Sequence, residues 1–468
     1  MKDDVKPQLV SLYQKPEKIY PRAVSGRFAL WRWVMVALTQ AVFYGMPWLQ
    51  WNGRQAVLFD LEAPRFYLFG LMLQPQDLIF LAGLLVLAAL ALFFFTAVAG
   101  RLWCGYACPQ TVYTEIFLWI ERHTEGDRAA RIRLDRDPWN TNKVLRKGGK
   151  HLAWGLVALV TGFTFTGYFI PIRELAAQVA TASVGAWAGF WILFYAFATY
   201  GNAGWMREQI CKYMCPYARF QSALIDGDSL VIAYDGGRGE KRGARSKKAD
   251  PKALGLGDCV DCGLCVQVCP TGIDIRNGLQ NECIGCAACI DVCDTVMDRT
   301  GRPHGLIRYA TGNGVARGWT KAQMLRRVWR PRVAIYGALL GASGLAFAVG
   351  VVLRQPVVMD VMRDRGVMAR VVEAGAVENL YRVQLINRSD RAASYTLAAE
   401  GMPGLQLQPA RAVALQPGEV KPFTVHLLLP PVGSNGAEPG AHPIAFTLTA
   451  EGAAAPLLRE RSTFVVPR

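Results

Sequence analysis

The sequence predicts a multi-domain membrane protein, with a helical membrane region, a cysteine-rich α+β insert and a C-terminal all-β sandwich. Three observations predict this fold class. Apolar runs of about twenty residues, long enough to cross a hydrocarbon core, occupy the first three quarters of the 468-residue chain. Eight of the twelve cysteines fall between Cys259 and Cys293. After Leu353 the pattern changes to short alternating runs separated by Gly, Pro and Asn, which is typical of strands.

Five apolar segments predict five membrane-spanning α-helices. They cover residues 28–50, 77–100, 151–172, 185–205 and 332–353. Arg32, near the start of the first segment, is expected to extend its long side chain to the membrane interface. The polar tail before it is longer than a secretory leader, and no small-residue cleavage site follows. We therefore interpret the first segment as a retained anchor.

Positive charge predicts the orientation of these helices. The loop after the second segment, residues 101–150, carries ten Lys and Arg residues, whereas the loops after the first and third carry two and one. By the positive-inside rule the N-terminus, this loop and residues 206–331 lie in the cytoplasm, and five crossings place the C-terminal domain outside. The topology explains most of the net charge of +16, and no nucleic-acid-binding motif is present, so we expect no nucleic acid partner.

Two short cysteine runs share the spacing C-x2-C-x2-C-x3-C. Three thiolates at this spacing can wrap one [4Fe-4S] cubane, and in two-cluster ferredoxins the fourth cysteine of each run ligates the other cluster. The sequence therefore predicts two [4Fe-4S] clusters in a bacterial ferredoxin-like insert. One cluster is assigned to Cys259, Cys262, Cys265 and Cys293, and the other to Cys283, Cys286, Cys289 and Cys269.

Zinc binding and disulfide bonds are the competing interpretations of these cysteines. Zinc usually takes paired C-x2-C units with a longer spacer, and disulfides are rare in a reducing cytoplasm. Asp294, in place of the usual proline, follows the second run without removing a ligand. Gly263, Gly285 and Ala287 are small enough to let backbone amides approach the cluster sulfides. The direction of electron flow stays open, because iron–sulfur potentials span about −700 to +450 mV.

The other four cysteines form two matching C-x3-C-P units, each just past an even-numbered span. They are Cys104 and Cys108 before Pro109, and Cys211 and Cys215 before Pro216. On an α-helix this spacing places both cysteines on one face, and the proline is expected to turn the chain. Thiolates are soft ligands that suit Cu(I), so four sulfurs, with Met214 as a softer fifth, predict redox or metal chemistry. Copper coordination, a reversible disulfide and quinone-linked chemistry all remain open, and buried structural cysteines are the alternative.

The C-terminal segment alternates polar and apolar residues in stretches such as YRVQLIN and IAFTLTAE. This period of two, with frequent turn residues, predicts an all-β sandwich. It contains no cysteine, so we expect core packing alone to hold it and interpret it as an interaction or shielding module. The predicted domains are a cytoplasmic tail (1–27), four membrane helices (28–205), a cytoplasmic linker with the ferredoxin domain (206–331), a fifth membrane helix (332–353) and the periplasmic sandwich (354–468).

Several long motifs resemble one known family. SLYQKPEKIYPRAVSGRF before the first span, both C-x3-C-P units, YDGGRGEKRG, CPTGIDIRNGLQNECIGCAACIDVCD and GLIRYATGNG are together similar to the cytochrome c oxidase accessory proteins called CcoG, FixG or RdxA. The resemblance covers essentially the whole chain. It implies a multi-pass protein of the bacterial inner membrane with an immunoglobulin-like C-terminal sandwich.

The resemblance also implies a function. Members of this family are described as iron–sulfur cupric reductases that convert Cu(II) to Cu(I) for assembly of the cbb(3)-type oxidase. The expected partners are then the lipid bilayer, copper ions, and the proteins that deliver copper and assemble the oxidase, with an electron donor that the sequence does not identify. The eight cysteines of the insert would hold the clusters, and Cys104, Cys108, Cys211 and Cys215 would be the catalytic or copper-binding cysteines.

Rival functions come from different classes. A quinol dehydrogenase subunit that feeds a periplasmic reductase would share the four-span core, the C-x3-C-P units and the clusters, but not the fifth span or the sandwich. A copper chaperone or assembly scaffold would bind Cu(I) without turnover. A transporter is disfavoured, because no span carries an acidic residue or histidine at its centre.

Overall fold

The computed structural model describes residues 18–245, 254–364, 369–372, 375–409, 412–430, 438–453 and 455–467. Most of the predicted cytoplasmic tail, residues 1–17, and part of the predicted linker, residues 246–253, lie outside the described residues. The described chain divides into two compact units. The first comprises residues 1–45, 87–166 and 184–342, and the second comprises residues 46–86, 167–183 and 343–468.

The described α-helices include long apolar helices and shorter connecting helices. They are α1 (Arg27–Gly45), α2 (Leu78–Ala99), α3 (Leu102–Tyr106), α4 (Pro109–Glu125), α5 (Arg128–Arg136), α6 (Thr141–Thr166), α7 (Ile172–Ala180), α8 (Ala186–Tyr200), α9 (Pro216–Leu224), α10 (Gly236–Gly239), α11 (Leu264–Gln267), α12 (Ala288–Thr300), α13 (Gly312–Ala316), α14 (Lys321–Arg326) and α15 (Pro331–Val352). Two π-helical segments, Gly201–Met206 and Ile210–Met214, follow α8.

Two of the described helices are long and apolar enough to cross a membrane. They are Pro75–Ala99, which contains α2, and Pro331–Val352, which is α15. The other three predicted spans fall on α1, α6 and α8. Their status as membrane spans stays a prediction.

The strands form three small sheets and one sandwich. They are β1 (Gln50–Trp51), β2 (Arg54–Gln55), β3 (Val57–Asp60), β4 (Arg65–Leu68), β5 (Leu71–Leu73), β6 (Leu230–Tyr234), β7 (Ile307–Thr311), β8 (Val357–Arg363), β9 (Arg370–Val371), β10 (Val377–Asn387), β11 (Ala393–Glu400), β12 (Gln406–Gln408), β13 (Ala412–Leu415), β14 (Val420–Leu429), β15 (Gly440–Ala450) and β16 (Leu458–Val466). Within the described residues β3, β4 and β5 form an antiparallel sheet of the second unit.

The C-terminal domain is the all-β sandwich that the alternation predicts. One sheet has the order β12-β14-β10-β8, with β9 also paired to β10, and the other has the order β13-β11-β15-β16. Every second residue of these strands points into one shared core, in which the rings of Tyr381 and Phe446 pack edge to face with centroids 5.1 Å apart. The Tyr381 hydroxyl donates to the Thr463 carbonyl, so the polar end of this core tyrosine is satisfied.

The cysteine-rich insert is closed by a two-stranded ladder. β6 precedes all eight cysteines and β7 follows them, and the two pair antiparallel from Leu230 opposite Thr311 to Tyr234 opposite Ile307. This pairing brings the ends of the insert together, so that the loops carrying the cysteines and the helices α11 and α12 lie within one closed segment. The insert is thus the small α+β unit that the cysteine pattern predicts.

Candidate functional site: a thiol-lined insert beside the C-x3-C-P cysteines

The first cavity of the insert has the thiol set predicted for one cluster. Cys259, Cys262, Cys265 and Cys293 all line it. Cys262 is exposed, whereas Cys259 and Cys265 are buried. Burial is the main cause that raises the pKa of the Cys265 thiol to about 11 and that of Cys293 to about 12. Thiols with raised pKa values fit a site in which bound iron, rather than water, stabilises the thiolates.

The second cavity has the other predicted set. Cys269, Cys283, Cys286 and Cys289 line it, and Cys265 borders it as well. The two cavities therefore share an edge at Cys265. Each cavity takes three cysteines from one run and one from the other. Cys293, the last cysteine of the second run, joins the first set, and Cys269, the last of the first run, joins the second set. This crossed arrangement is the one that two-cluster ferredoxins use.

Left-handed backbone conformations shape both cysteine loops. Gly263 and Ala287 each precede a helix, α11 and α12, with φ angles of 65° and 59°. Gly285 also has a positive φ, 72°, and a Cβ there would lie 3.0 Å from the Arg101 carbonyl oxygen. Its small size is therefore required where the insert meets the chain after α2, a role that the sequence did not predict.

Among the described residues, no three His, Cys, Asp or Glu side chains converge closely enough to bind a single metal ion. A cubane differs from a single ion because its four irons separate the four ligating sulfurs. The relevant feature is therefore an enclosed space surrounded by four thiols. Both cavities have this feature, so the residues present fit two [4Fe-4S] clusters.

The loop of the second cavity packs backbone to backbone against α3. A Cβ at Gly105 would lie only 2.7 Å from the Gly285 carbonyl oxygen and 3.0 Å from the Cys286 nitrogen. Glycine is the residue that permits this approach. Since Gly105 directly follows Cys104, the contact joins one C-x3-C-P unit to a cysteine of the second cavity.

Two arginines hold the same loop through its carbonyl groups. Arg32 donates to the Cys286 carbonyl at 2.6 Å, and Arg101 donates to the carbonyls of Asn281 and Cys283. Arg32 is only 6% exposed. Its guanidinium binds the carbonyl of Cys286 in the insert, and its position at a membrane interface stays a prediction.

A carboxylate between two cysteines caps the first long helix. Asp291, on α12, accepts hydrogen bonds from the backbone N–H groups of Phe28 and Ala29 at 3.1 and 2.7 Å. The first turn of a helix has free N–H groups that favour a negative charge, so this contact satisfies the start of α1. Gly26 leaves space for the carboxylate, since a Cβ there would lie 2.4 Å from the Asp291 carboxyl carbon.

The two C-x3-C-P units fold differently from the single helical face that their spacing predicts. Cys104 lies in α3, but α3 ends at Tyr106, and Cys108 is the extended N-cap residue of α4. In the second unit Cys211 lies in a π-helical segment, and Cys215 is the extended N-cap of α9. The proline begins a new helix in both units, because its fixed φ suits the first helical position. Each second cysteine therefore sits at a helix N-terminus.

Electrostatic interactions connect the thiols of the two units, because Cys104 interacts with Cys211, and Cys108 with Cys211 and Cys215. Burial, then the neighbouring Cys108 and Cys211, raise the pKa of Cys104 to about 12. Burial, then Cys108 and Cys215, raise the pKa of Cys211 to about 11. At Cys108 burial also raises the pKa, while hydrogen bonds from the backbone N–H groups of Gln110 and Thr111 oppose this. The two units therefore lie near each other, and their use as one copper or redox site stays a prediction.

A buried glutamine supports this thiol group and was not predicted. Gln221, on α9, is fully buried, and its amide nitrogen donates to the Gly100 carbonyl at 3.0 Å. Its side-chain oxygen lies 3.6 Å from the Cys104 sulfur. No sequence signal marks Gln221, because only the tertiary fold brings α9 to α3. Met214, the predicted fifth sulfur, is 58% exposed.

Family profiles match three parts of the chain. Residues 206–312 match a 4Fe-4S dicluster domain, and residues 81–125 match a 4Fe-4S binding domain. Residues 347–467 match an Ig-like fold at the C-terminus of FixG, whose description associates FixG with oxidoreductase activity. Two [4Fe-4S] clusters and the Ig-like sandwich are thereby confirmed as features of this chain.

Relatives match the chain over most of its length. The nitrogen fixation protein FixG of Rhizobium meliloti is 38% identical over 480 residues, which cover 94% of this chain and 91% of FixG. Protein RdxB of Cereibacter sphaeroides is 40% identical over 433 residues, which cover 90% of this chain and 91% of RdxB. The crystal structure of a FixG-related protein from Vibrio parahaemolyticus is 26% identical, with a TM-score of 0.21, and the match covers 24% of this chain and 97% of that one. Since FixG and RdxB are matched over nine tenths of their lengths, the chain belongs to the FixG/RdxA family of iron–sulfur electron-transfer proteins.

Proposed function

We propose that this protein reduces Cu(II) to Cu(I) at the four C-x3-C-P cysteines, with electrons supplied through its ferredoxin-like insert. One observation carries the proposal. The backbone contact between Gly105 and the Gly285–Cys286 peptide joins the second cluster cavity directly to the segment that bears Cys104. An insert that served only as an independent electron carrier would not require this fixed contact.

The two thiol-lined cavities support a specific ligand assignment. Cys259, Cys262, Cys265 and Cys293 would hold one cluster, and Cys269, Cys283, Cys286 and Cys289 the other. When bound, these clusters supply one-electron transfer, which matches the single electron that separates Cu(II) from Cu(I). The exposed Cys262 marks the end of the insert that a soluble donor reaches, and Cys286 marks the end beside α3.

The C-x3-C-P cysteines supply the copper site. Thiolates are soft ligands that stabilise Cu(I) over Cu(II), so binding to them favours the reduced product. Cys108 and Cys215 are the N-cap residues of α4 and α9. At Cys108, burial raises the pKa, and hydrogen bonds from the backbone N–H groups of Gln110 and Thr111 partly offset this. Burial raises the pKa of Cys104 and of Cys211, so copper binding at these thiols would release their protons.

A multi-pass arrangement in the inner membrane accompanies this function. Beyond α2 and α15, three helices expose large apolar side chains, such as Leu38 on α1, Leu156 on α6 and Phe197 on α8. Exposed apolar faces of this size are expected to contact lipid. With five spans the insert faces the cytoplasm and the sandwich faces the periplasm. Copper-site assembly of a cbb(3)-type oxidase, with its copper-delivery proteins, is the use that we propose for the Cu(I).

Anaerobic copper reduction tests the proposal. The full-length protein is mixed anaerobically with Cu(II), a Cu(I)-specific chelator and an excess of a reductant that keeps the clusters reduced, and the direct reaction of this reductant with Cu(II) is subtracted. The double variants Cys104→Ser/Cys108→Ser and Cys211→Ser/Cys215→Ser are compared with wild type. We expect repeated turnover in wild type and a loss of at least about tenfold in both variants, while the cluster absorbance is unchanged. Ser222→Ala, on the exposed side of α9, is the matched control. Unchanged rates in both double variants would exclude these cysteines, and stoichiometric Cu(I) binding without turnover would favour a scaffold.

A third cluster at the C-x3-C-P cysteines is a second candidate. The 4Fe-4S binding profile at residues 81–125 includes Cys104 and Cys108, and both units contribute to one group of four thiols. Iron analysis separates the two candidates, because two clusters contain about eight irons per chain and three contain about twelve. A double variant that loses four irons would establish the third cluster, whereas an unchanged iron content would leave the thiols available for copper.

A further inference from the structure

A basic segment of the chain lies where two apolar helices end. Residues 312–330, the juxtamembrane segment, connect β7 to α15. Both α15 and the helix Pro75–Ala99 are long and apolar enough to cross a membrane. Arg330, the last residue of the segment, donates to the Ala97 carbonyl at 2.6 Å. This hydrogen bond places the start of α15 beside the end of α2, so the segment lies at the surface of the membrane that these two helices would cross.

The juxtamembrane segment has five positive charges and no acidic residue. Arg330 forms an ion pair with Asp226 at 2.9 Å. The other four cations have exposed side chains, and among the described residues none of them forms an ion pair. They are Arg317, Lys321, Arg326 and Arg327. Because unpaired like charges on one short segment repel each other, this surface favours an anionic partner.

Two of these cations share one aromatic ring. The guanidinium groups of Arg317 and Arg327 lie 5.3 and 5.2 Å from the ring centroid of Trp319. The ring attracts both cations and thereby holds two like charges near each other. A phosphate group accepts paired hydrogen bonds from guanidinium groups, so it would both neutralise and bridge these two side chains.

Apolar side chains are exposed on the same segment. Met324 is buried against α13, since a Cβ at Gly314 would lie 2.5 Å from the Met324 sulfur, and this contact fixes the orientation of α14. Leu325 and Trp329 are 73% and 83% exposed. A tryptophan at the end of a membrane helix suits the boundary between head groups and acyl chains. A soluble anion would leave both side chains in water, whereas a lipid surface would cover them.

We propose that the juxtamembrane segment binds the phosphate head groups of anionic phospholipids. The two arginines on Trp319 form a fixed site for one phosphate, and the other exposed cations face neighbouring head groups. Leu325 and Trp329 contact the acyl chains. Clusters of four to eight Lys or Arg residues beside a membrane helix bind anionic lipids in this way. Lipid binding is independent of copper reduction, because the segment contains no cysteine.

Amide hydrogen exchange of the full-length protein with its clusters, without copper, measures this binding. The protein is placed in nanodiscs of phosphatidylcholine alone, or of an equal mixture with the anionic lipid phosphatidylglycerol. Residues 317–329 should exchange at least about fivefold more slowly in the anionic nanodiscs, which is the contribution of one cation near an anionic surface. Raising the salt concentration should reduce this ratio, because salt screens exposed charges.

Charge-neutral variants locate the effect. Arg326→Gln/Arg327→Gln should lower the ratio of exchange rates to less than about twofold and leave the iron–sulfur absorbance unchanged. Arg133→Gln/Arg136→Gln removes two exposed positive charges from α5 and is the matched control, which should keep the wild-type ratio. Each ratio compares one variant in two lipids, so the effect of a substitution on the intrinsic exchange rate cancels.

Three results would overturn the lipid assignment. Equal exchange of wild type in both kinds of nanodisc, or an unchanged ratio in Arg326→Gln/Arg327→Gln, would exclude anionic head groups and favour an acidic protein as the partner. Inorganic phosphate, added to the phosphatidylcholine nanodiscs, should not slow exchange. If it slows exchange as much as phosphatidylglycerol does, the ligand is a soluble anion. Copper turnover is measured separately, so lipid binding and copper reduction can each fail alone.

Discussion

The ferredoxin-like insert and the C-terminal sandwich differ in what holds them together. Among the described residues, the sandwich has one core of eighteen buried side chains drawn from both sheets. The insert has two small groups of six and four buried residues, and both groups include cysteines that line the cluster cavities. Apolar burial can therefore stabilise the sandwich alone, whereas the insert needs the bonds between its cysteines and iron.

Removal of iron should have the largest effect, because it should unfold the insert and leave the sandwich folded. In the full-length protein, treatment with a chelator and an oxidant should unfold residues 230–311 while the sandwich stays folded, because thiols of the insert lose the ligand that joins them. Limited proteolysis with mass spectrometry would check this. We expect new cleavage sites between β6 and β7 and none in β10 or β14. Equal protection of both regions after iron loss would contradict the cluster-dependent folding of the insert.

A substitution that creates a cavity in the sandwich core should have the next largest effect on stability. Phe446 is fully buried against Tyr381, so Phe446→Ala should lower the free energy of unfolding of the sandwich by about 3–5 kcal/mol. Hydrogen exchange in β15 would report this loss, and the iron–sulfur absorbance should not change. Leu457→Ala, at a position 38% exposed, is the matched control and should change stability by less than about 0.5 kcal/mol. A loss of cluster absorbance in Phe446→Ala would show that the two regions are not independent.

The sandwich and the cluster cysteines could be predicted because each depends on a local pattern. Alternation along β10 and β15 identifies strands, and the spacing of the cysteine runs limits which thiols can surround one cubane. The way the insert is held on the helices could not be predicted. Asp291 and Ala29 are 262 residues apart in sequence, and nothing near either residue indicates the hydrogen bond between them.

The C-x3-C-P units show where a local pattern has two structural solutions. The spacing of Cys104 and Cys108 suits one α-helix, but it equally suits a cysteine in one helix followed by a cysteine that caps the next. Proline decides between them, since it is disfavoured within a helix and favoured at the first position of one. The π-helical turn around Cys211 has no comparable signal, and such turns frequently occur at functional sites.

The smallest expected effect is a pH dependence confined to the sandwich. The Arg370 guanidinium, and less strongly His426, lower the pKa of Glu378 below its ordinary value of 4.5, against a smaller opposing effect of burial. Because the folded-state pKa is lowered, this stabilisation is fully present above pH 4.5 and is lost as the pH falls through the lower value. Hydrogen exchange in β10 should therefore be slower in wild type than in Glu378→Gln at pH 7, by less than about fivefold, because solvent screens the exposed partner Arg370. The two proteins should converge once the wild-type carboxylate is protonated. A difference that persists unchanged at the lowest pH would show that Glu378 stabilises the sandwich through packing and not through its charge.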